Sequence, residues 1–512
     1  MCGLLFSSVS SLSDDNFLRA LRCMNYRGPD ASQIMRQGNL LLGHNRLAIV
    51  DLDTRSNQPF ISADGRYAII YNGEIYNFRE LSKRYQLSLR TQSDTEVLLA
   101  LYLLRGASFL NELNGMFAFV IADLLSGDWF AARDRLGVKP LYQANYKDGM
   151  LFSSEPAPLL SILGGAKLDP IGVRQYKKLR TFFNGHTIWS GIRQFPAGYY
   201  TTNHGPLTRW WQLPEGIQAP PSDEELRFLI EDAISIRQIA DVPVGSYLSG
   251  GVDSTIVAGL AKKPDTWTVG FPEDNEFYWG KIAATVFKSQ HHEILINYED
   301  FLPQAQQMIR QRLEPLSVPN EVLLYHMTKK VVTKNKVILS GEGADELFFG
   351  YDRIFRWAAS NPWNLAEFAK LYAYGSTDDL EIIEDALSPF LSRGSALSIV
   401  AAFFQTAHLH GLLRRLDSAT MLCSVEARTP FIDYRLVERM AGVPFAWRMA
   451  NNVVKAPLKR IFSDLVPKEI IQRPKIGFPV PLDKLPLDIE NGKNPMDSWF
   501  AFNLATLEGE FA

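Results

Sequence analysis

Cysteine is scarce in this chain, and lysine and arginine form no run of positive charge. Only Cys2, Cys23 and Cys423 occur in 512 residues, and a small, odd set of this kind is typical of a reduced protein without a disulfide framework. The formal net charge is −3. A nucleic-acid partner requires clustered basic residues to neutralise its phosphates, so this composition argues against one.

Long apolar runs and targeting signals are also lacking. No uninterrupted apolar stretch approaches the ~20 residues needed to span a bilayer, although 46% of the residues are hydrophobic, an ordinary share for a globular protein. The N-terminal MCGLLFSSVS has no basic flank of the kind that begins a signal peptide. We therefore expect a cytoplasmic protein that does not insert into membranes.

The chain is long enough for more than one domain, since a single domain typically holds about 100–200 residues. In 2–205, short apolar runs punctuated by Gly, Asn and Asp predict strands and sharp turns. Prolines and a polar, acidic end mark 206–225 as a linker. In 226–512, strands alternate with helical stretches, which predicts a parallel sheet wrapped by helices.

Cys2 directly follows the initiator methionine. If Met1 is removed, a thiol and a free α-amine share one residue. The amine has a pKa of ~7.7–8.0, so it can accept the thiol proton near neutral pH. Such a pair is an activated nucleophile that needs no histidine. A cysteine in this position can equally be incidental, and its sequence neighbours decide between the two.

The segment YNGEIYN places Asn72 and Gly73 at the end of an apolar run, where the strand is expected to turn. An Asn side-chain amide and a Gly backbone N–H can both donate to one oxyanion. The plain alternative is a hairpin turn.

Two charged residues in the same half predict a site for a small zwitterion. Asp94, in TQSDTEV, lies in the predicted first turn of a helix, where it either holds a substrate ammonium or simply stabilises the helix dipole. Arg46, in HNRLAIVD, can bind a carboxylate through its planar guanidinium or form a surface ion pair. An ammonium site and a carboxylate site together describe a free amino acid.

The second half contains two loops that each follow an apolar strand. In SGGVDS (249–254), two glycines, two serines and a helix start form a cradle for phosphate, unless the segment is a bare Gly-Gly turn. Asp253 in that cradle would repel phosphate unless Mg²⁺ bridged them. In SGEGADELFFGY (340–351), Glu342, Asp345 and Glu346 cluster beside apolar residues. Ligands gather at the carboxyl ends of strands, so both loops should share one crevice.

Seven segments of the first half, in order and spacing, resemble the class II glutamine amidotransferase domain of glutamine-hydrolysing asparagine synthetases: MCG, YRGPD, HNRLAIVD, NGEIYN, SDTEV, LNGMFAFVIAD and RDRLGVKPLY. The resemblance implies an Ntn-type αββα sandwich of antiparallel sheets. It also implies that Cys2 attacks the amide of glutamine and releases ammonia through a thioester, with Asn72 and Gly73 as the oxyanion hole. The glutamine-binding residues that it implies are Arg46, Leu47, Ala48, Ile49, Val50, Asn72, Gly73, Glu74 and Asp94.

The second half resembles the PP-loop ATP pyrophosphatase domain of the same synthetases, including EARTPFIDYRLVE and PKEIIQRPKIGFPVPL. The resemblance implies a doubly wound parallel sheet and a carbon–nitrogen ligase. An acceptor carboxylate would attack the α-phosphate of ATP to form an acyl-adenylate, from which ammonia displaces AMP. Asp253 and Asp345 would hold Mg²⁺, while Glu342 and Lys455 would act at the reacting centre. Lys455 could instead be an exposed helix lysine, since Val454 replaces the family's glycine. The implied ATP contacts are Leu248, Ser249, Gly250, Gly251, Asp253, Ser254, Val269, Ser340 and Gly341.

The acceptor is the least determined substrate. The asparagine synthetases draw on 312–330 for the acceptor pocket, but VPNEV stands here where their Thr-Thr-Ile-Arg pattern is expected. Aspartate is the expected acceptor, and a sugar (uronic) acid of surface-polysaccharide synthesis is the alternative. A catalytically silent regulatory homologue is a third hypothesis, which the presence of Cys2, Asp345 and Lys455 opposes. The resemblance also leads us to expect small-molecule substrates and a homodimer.

Overall fold

The computed structural model describes residues 2–262, 264–374, 379–473, 480–487 and 494–510. In the first half, twelve strands and five helices alternate along the chain: β1 (Gly3–Ser7), α1 (Asp14–Arg22), β2 (Ala31–Gln37), β3 (Leu40–Arg46), β4 (Phe60–Ile61), β5 (Tyr67–Ile75), α2 (Phe78–Arg84), α3 (Asp94–Arg105), β6 (Gly115–Asp123), β7 (Trp129–Arg133), β8 (Tyr142–Tyr146), β9 (Gly149–Ser153), α4 (Pro156–Leu163), α5 (Pro170–Leu179), β10 (Arg193–Gln194), β11 (Tyr199–Thr202) and β12 (Thr208–Arg209).

These strands form two six-stranded antiparallel sheets, with orders β10-β8-β9-β1-β3-β2 and β12-β11-β7-β6-β5-β4. Alternation along the strands gives each sheet two apolar faces. In β1, Leu4 and Phe6 pack against Val120 of the opposite sheet, whereas Leu5 packs with Phe17 of α1. On the outside of the second sheet, residues of β5 and β6 share a core with α3. The result is the helix–sheet–sheet–helix sandwich that the resemblance implied.

The second half contains the remaining elements: α6 (Asp223–Ile236), β13 (Val244–Tyr247), α7 (Val252–Leu260), β14 (Asp265–Gly270), α8 (Phe277–Phe287), β15 (Gln290–Leu295), α9 (Tyr298–Arg312), α10 (Asn320–Val331), β16 (Val337–Leu339), α11 (Ala344–Leu347), α12 (Asp352–Ser360), α13 (Leu365–Tyr372), α14 (Leu380–Leu387), α15 (Ala396–Phe403), α16 (Leu409–Met421), β17 (Glu426–Arg428), α17 (Tyr434–Met440), α18 (Phe445–Arg448), α19 (Ala456–Ile461), α20 (Lys468–Gln472) and α21 (Pro495–Glu508). The segment predicted as a linker begins with β12 and ends in the first turn of α6.

The sheet of this half is parallel, with the order β15-β14-β13-β16-β17. The chain builds outward from β13 to β15 and then returns to the other side of β13 at β16. The switch point therefore lies between β13 and β16, and the carboxyl ends of these two strands open into one crevice. The two loops singled out in the sequence follow these two strands, so the predicted doubly wound sheet places them side by side.

Buried ion pairs cross the interface between the halves. Arg27, which is fully buried, binds Glu155 at 2.5 Å and reaches Asp417 of α16 at 2.9 Å. Lys139 lies 3.4 Å from the same aspartate. Because breaking one partner of a buried pair typically costs about 3–5 kcal/mol, these contacts fix how the halves meet.

One helical run is more apolar than the sequence suggested. Within the described residues, Ala396–Met421 is the one helix long and apolar enough, by length and composition, to cross a membrane. It comprises α15, a π-helical turn at Phe404–His408, and α16. In its most apolar window, 61% is buried inside the protein, and Asp417 near its end forms the ion pairs described above. The run therefore packs as a core helix of the second half.

Candidate active sites

Cys2 lies immediately before β1, with 8% of its surface exposed. Its backbone N–H donates to Oδ1 of Asn72 at 3.0 Å, and its Sγ lies 4.0 Å from the carbonyl of Leu47. The Nδ2 of Asn72 is buried and has no partner among the described residues. A buried donor without a partner beside a nucleophile is ready to donate to an oxyanion.

The predicted turn at Asn72 and Gly73 is wrong, because β5 continues through both residues to Ile75. Gly73 is required by close packing within the sheet: a Cβ there would lie 2.1 Å from the carbonyl of Met116 on β6. Side chains alternate between the two faces of β5, and the side chain of Asn72 lies on the face towards Cys2. The Asn-Gly pair therefore forms no hairpin, Gly73 is required by packing, and the oxyanion-hole role of both residues stays a prediction.

The thiol of Cys2 is in a poorly hydrated place. Burial raises its pKa, and the positive charge of the chain's N-terminus, a hydrogen bond with the backbone of Leu47 and the charge of Arg46 only partly offset this. Histidine does not supply the missing base: His44, on β3, donates from Nε2 to the carbonyl of Tyr71 at 3.0 Å, and burial lowers its pKa to about 3. The arrangement thus favours activation of the thiol by an α-amine on Cys2 itself.

Arg46 is buried at the end of β3, which excludes a surface ion pair. Its guanidinium donates to the carbonyl of Asp53 and to Oδ1 of Asn57, both at 2.8 Å, and to the carbonyl of Asp51. These bonds hold the loop of residues 47–57 in place, and its first residue, Leu47, puts its carbonyl 4.0 Å from Sγ of Cys2. Roles for Ala48, Ile49 and Val50 in binding glutamine stay predictions. A direct contact of Arg46 with a substrate carboxylate stays a prediction.

Buried carboxylates give this site a negative character. Asp94 accepts from the hydroxyl of Tyr71 at 2.9 Å and from the backbone N–H of Ile75 at 3.0 Å. Burial raises the pKa of Asp94, and burial together with Asp94 raises the pKa of Glu74 well above its usual value. An ammonium group placed between them would relieve this unfavourable burial of negative charge.

Arg428 connects the two candidate sites, and no sequence motif assigned a role to it. Its Nη2 lies 3.5 Å from Glu74, and its Nε donates to Glu426 at 2.5 Å. Its own carbonyl accepts from the backbone N–H of Ser340 at 2.9 Å. One fully buried residue on β17 thus touches the predicted glutamine pocket and the SGEG loop. EARTPFID was recognised as a motif, but a contact across 354 positions leaves no local signal.

In the second half, SGGVDS turns sharply from β13 into α7. Gly250 has a φ of 71°, and a Cβ there would lie 2.4 Å from Trp279. The hydroxyls of Ser249 and Ser254 lie 3.1 Å apart, and Gly251 is the residue before the helix. This is a small, close-packed cradle at a helix N-terminus, the arrangement that binds phosphate oxygens.

The SGEG loop touches this cradle. A Cβ on Gly341 would lie 2.9 Å from the backbone nitrogen of Ser254 and 3.1 Å from Cβ of Asp253. The other predicted nucleotide contacts lie at the same sheet edge: Leu248 follows β13, Val269 is the next-to-last residue of β14, and Ser340 follows β16. The structure therefore brings all nine predicted nucleotide residues to one edge.

Lys455 joins the two loops. Its Nζ lies 2.5 Å from Oδ1 of Asp345 and also contacts Oδ2 of Asp253. It is 5% exposed and has a φ of 56°, so the exposed-lysine alternative is wrong. Burial lowers the pKa of Lys455, but the two aspartates outweigh it and raise that pKa above its usual value. Gly350 makes room for the cluster, since a Cβ there would collide with Asp345.

The acidic loop is not a solvated turn, because Glu346 is buried and Glu342 and Asp345 are only partly exposed. Glu346 is 1% exposed and accepts a hydrogen bond from the hydroxyl of Tyr351 at 2.6 Å. Burial and the neighbouring Asp345 raise the pKa of Glu346 to about 8. Glu342 forms an ion pair with Arg415 of α16. No sequence motif marked Arg415 as a site residue.

Glu346→Gln should gain stability relative to the parent chain as pH rises. The unfolded pKa of Glu is ~4.3, so folded Glu346 retains a proton that the unfolded chain loses. Protonation of Glu346 in the folded state therefore adds to the parent's free energy of unfolding in full below pH 4.3, and this stabilisation is lost as pH rises towards 8. Between pH 6 and 9 the difference in free energy of unfolding should shift by about 2–3 kcal/mol in favour of the variant.

Urea unfolding of the parent and variant chains at both pH values measures this shift. Exposed Glu384→Gln is the matched control for replacing a glutamate by glutamine. Parallel pH curves for Glu346→Gln and the parent would show that Glu346 is ionised in the folded protein.

Comparisons with known proteins agree with this geometry. The profile of the family described as asparagine synthase matches residues 225–501, and that of the glutamine amidotransferase domain matches residues 1–211. Asparagine synthetase [glutamine-hydrolyzing] 1 of Bacillus subtilis is 28% identical over 93% of this chain and 84% of its own length. Asparagine synthetase B of Escherichia coli is 27% identical over 90% and 78%, and a Zea mays asparagine synthetase is 27% identical over 93% and 77%. The chain belongs to the asparagine synthase family, with a glutamine amidotransferase domain in its first half.

Proposed function

We propose that this chain is a glutamine-dependent asparagine synthetase, which uses ATP and the amide nitrogen of glutamine to convert aspartate into asparagine. One observation carries the proposal. Asp253 and Asp345, from loops at the switch point of the parallel sheet, converge on Lys455 in the same chain in which Cys2 faces Asn72. One polypeptide chain thus carries both a nucleophile for releasing ammonia and a centre for activating a carboxylate.

In the first half, the α-amine of Cys2 takes the thiol proton, and Sγ attacks the amide carbon of glutamine. The oxyanion accepts hydrogen bonds from Nδ2 of Asn72 and the N–H of Gly73. The α-ammonium of Cys2 returns the proton to the amide nitrogen, and collapse of the intermediate expels ammonia and leaves a thioester, which water hydrolyses to glutamate. Glu74 and Asp94 hold the substrate ammonium, and Arg46 with the loop of residues 47–50 encloses the rest.

In the second half, the SGGVDS cradle binds the pyrophosphate part of ATP. An oxygen of the acceptor carboxylate attacks the α-phosphorus, pyrophosphate leaves, and an acyl-adenylate forms. Lys455 stabilises the negative charge that develops on the phosphate oxygens. Ammonia then attacks the acyl carbon, AMP leaves, and Glu342 accepts a proton from the nitrogen.

Asp253 and Asp345 fit a Mg²⁺ site, because their oxygens meet at one position that the ammonium of Lys455 now neutralises. Mg²⁺ in such enzymes is held by one or two carboxylates, with water and substrate phosphates as its other ligands. When bound here, it would neutralise phosphate charge and orient the pyrophosphate as a leaving group. We also expect a cytoplasmic enzyme that forms a homodimer.

The acceptor is tested by supplying ammonium in place of glutamine. Purified protein is incubated with MgATP and one carboxylic acid at a time, namely aspartate, glutamate, glucuronate or galacturonate, and AMP is measured. We expect AMP with aspartate in an amount equal to the asparagine formed. AMP formation with a uronic acid and none with aspartate would reject aspartate while leaving the reaction type intact.

A further inference from the structure

The long helical run Ala396–Met421 carries two polar residues on the face towards the acidic loop. His408 and Arg415 are seven positions apart, so they lie two turns apart on one face of the helix. His408 lies 3.3 Å from the hydroxyl of Tyr351 and Arg415 contacts Glu342. The helix therefore forms a wall of the crevice that holds Asp345 and Lys455.

Arg415 is only partly satisfied in this wall. Its side chain is 10% exposed, its Nη2 binds one oxygen of Glu342, and its Nη1 donates to Oδ1 of Asn320 at 3.2 Å. Its Nε is buried without a partner among the described residues. The Nε–Nη2 edge of a guanidinium binds a carboxylate through two parallel hydrogen bonds. In Arg415, Nη2 on this edge binds Glu342, whereas Nε binds none of the described residues.

The neighbouring arginines are neutralised by buried carboxylates, although Nε of Arg312, like that of Arg415, has no partner among the described residues. Arg312 binds Glu321 at 2.6 Å and Glu314 at 3.3 Å, and all three side chains are buried. Arg414 binds Glu314 at 2.8 Å. Segment 312–330 is expected to shape the acceptor pocket. Its one arginine, Arg312, forms internal ion pairs with two glutamates of the same segment. The segment presents Asn320, a neutral residue, to Arg415.

We propose that Arg415 binds the second carboxylate of the acceptor and is the residue that selects a short dicarboxylic acid over a uronic acid. This inference rests on the proposed function and adds the residue that sets its acceptor specificity. The second carboxylate takes the Nε–Nη2 edge and displaces Glu342, which is then available at the reacting carboxylate. A uronic acid whose single carboxylate is the reacting one would leave Arg415 paired with Glu342.

The test compares aspartate with β-alanine, which is aspartate without its α-carboxylate, in the ammonium-dependent reaction. Arg415→Met should raise the KM for aspartate roughly 10- to 150-fold, the usual effect of losing a hydrogen bond to a charged group. Arg415→Lys should lie between this variant and the parent, because it keeps the charge and loses the fork. The parent's preference for aspartate over β-alanine should collapse in Arg415→Met, while the KM for ATP and the glutaminase rate stay the same.

Arg356→Met is the matched control, since Arg356 is a surface arginine bonded to Asp352 and Asn452 outside this crevice. If Arg415→Met slows the reactions of aspartate and β-alanine equally and keeps their ratio, Arg415 has a structural role and the proposal is wrong.

A binding measurement separates this inference from the proposed function. Calorimetric titration of succinate into protein saturated with a non-hydrolysable ATP analogue should give binding to the parent and none to Arg415→Met. If succinate and aspartate both fail to bind the parent while a monocarboxylic acid yields AMP, the Arg415 inference fails and the ligase reaction stands. If aspartate yields AMP and binds Arg415→Met as tightly as the parent, the inference fails and the proposed function stands.

Discussion

Cys2→Ala should lose glutamine-dependent amidation and retain ammonium-dependent amidation. Without the thiol there is no covalent intermediate, and losses of roughly 10⁴- to 10⁶-fold are typical when a catalytic nucleophile is removed. The parallel sheet and its loops contain no part of Cys2, so the rate with ammonium should stay within about twofold of the parent, well inside the tenfold that ~1.4 kcal/mol of barrier would produce.

The other two cysteines are the matched controls. Cys423 lies beside the carbonyl of Tyr325, and burial raises its pKa to about 12, so it is a poor nucleophile. Cys23→Ala and Cys423→Ala should leave both nitrogen sources equally effective. Glutamate release by Cys2→Ala above a tenth of the parent rate, with Met1 removal confirmed by mass in both proteins, would show that another group is the nucleophile.

Lys455→Met should have the opposite phenotype, with the glutaminase half active and the ligase half silent. The methionine keeps the length of the side chain but removes the cation that lies between Asp253 and Asp345. Losing a preorganised electrostatic group at a developing anion typically costs roughly 100- to 1,000-fold in kcat. AMP and pyrophosphate should therefore fall by that factor with either nitrogen source, while glutamate release continues without the amide product.

Lys459→Met is the matched control one turn further along α19. Lys459 is partly buried, and burial followed by the charge of Lys455 lowers its pKa. Its substitution should leave AMP formation near the parent level. Equal losses of AMP in Lys455→Met and Lys459→Met, or AMP formation that survives in Lys455→Met, would remove Lys455 from the reacting centre.

The fold was predictable to the extent that local patterns specify it. Short apolar runs predict strands at β5 and β6, and these two strands pair with each other in the second sheet. The strand–loop–helix pattern around SGGVDS predicts a crevice at a switch point, and β13 and β16 form it. The reading of Asn72-Gly73 as a turn failed because Gly73 is selected by the close approach of β6, which the segment itself does not encode.

Much of the site chemistry comes from residues that are distant in sequence. Arg428 is 354 positions from Glu74, and Arg415 is 73 positions from Glu342. Ion pairs of this kind have no periodicity or spacing to detect, and they become visible only when the packing is known. Lys455 was selected by resemblance alone, and its burial between two aspartates could not be inferred from an isolated lysine before a helix.

The central claim is that one chain couples glutamine hydrolysis to ATP-dependent amide formation. The most direct measurement supplies amide-¹⁵N glutamine, MgATP and aspartate and quantifies glutamate, AMP, pyrophosphate and ¹⁵N-asparagine in one reaction. We predict that the four products form in equal amounts, with the label in the asparagine side chain. Glutamate formed together with AMP in the absence of any labelled amide, or an amide whose nitrogen does not come from glutamine, would contradict it.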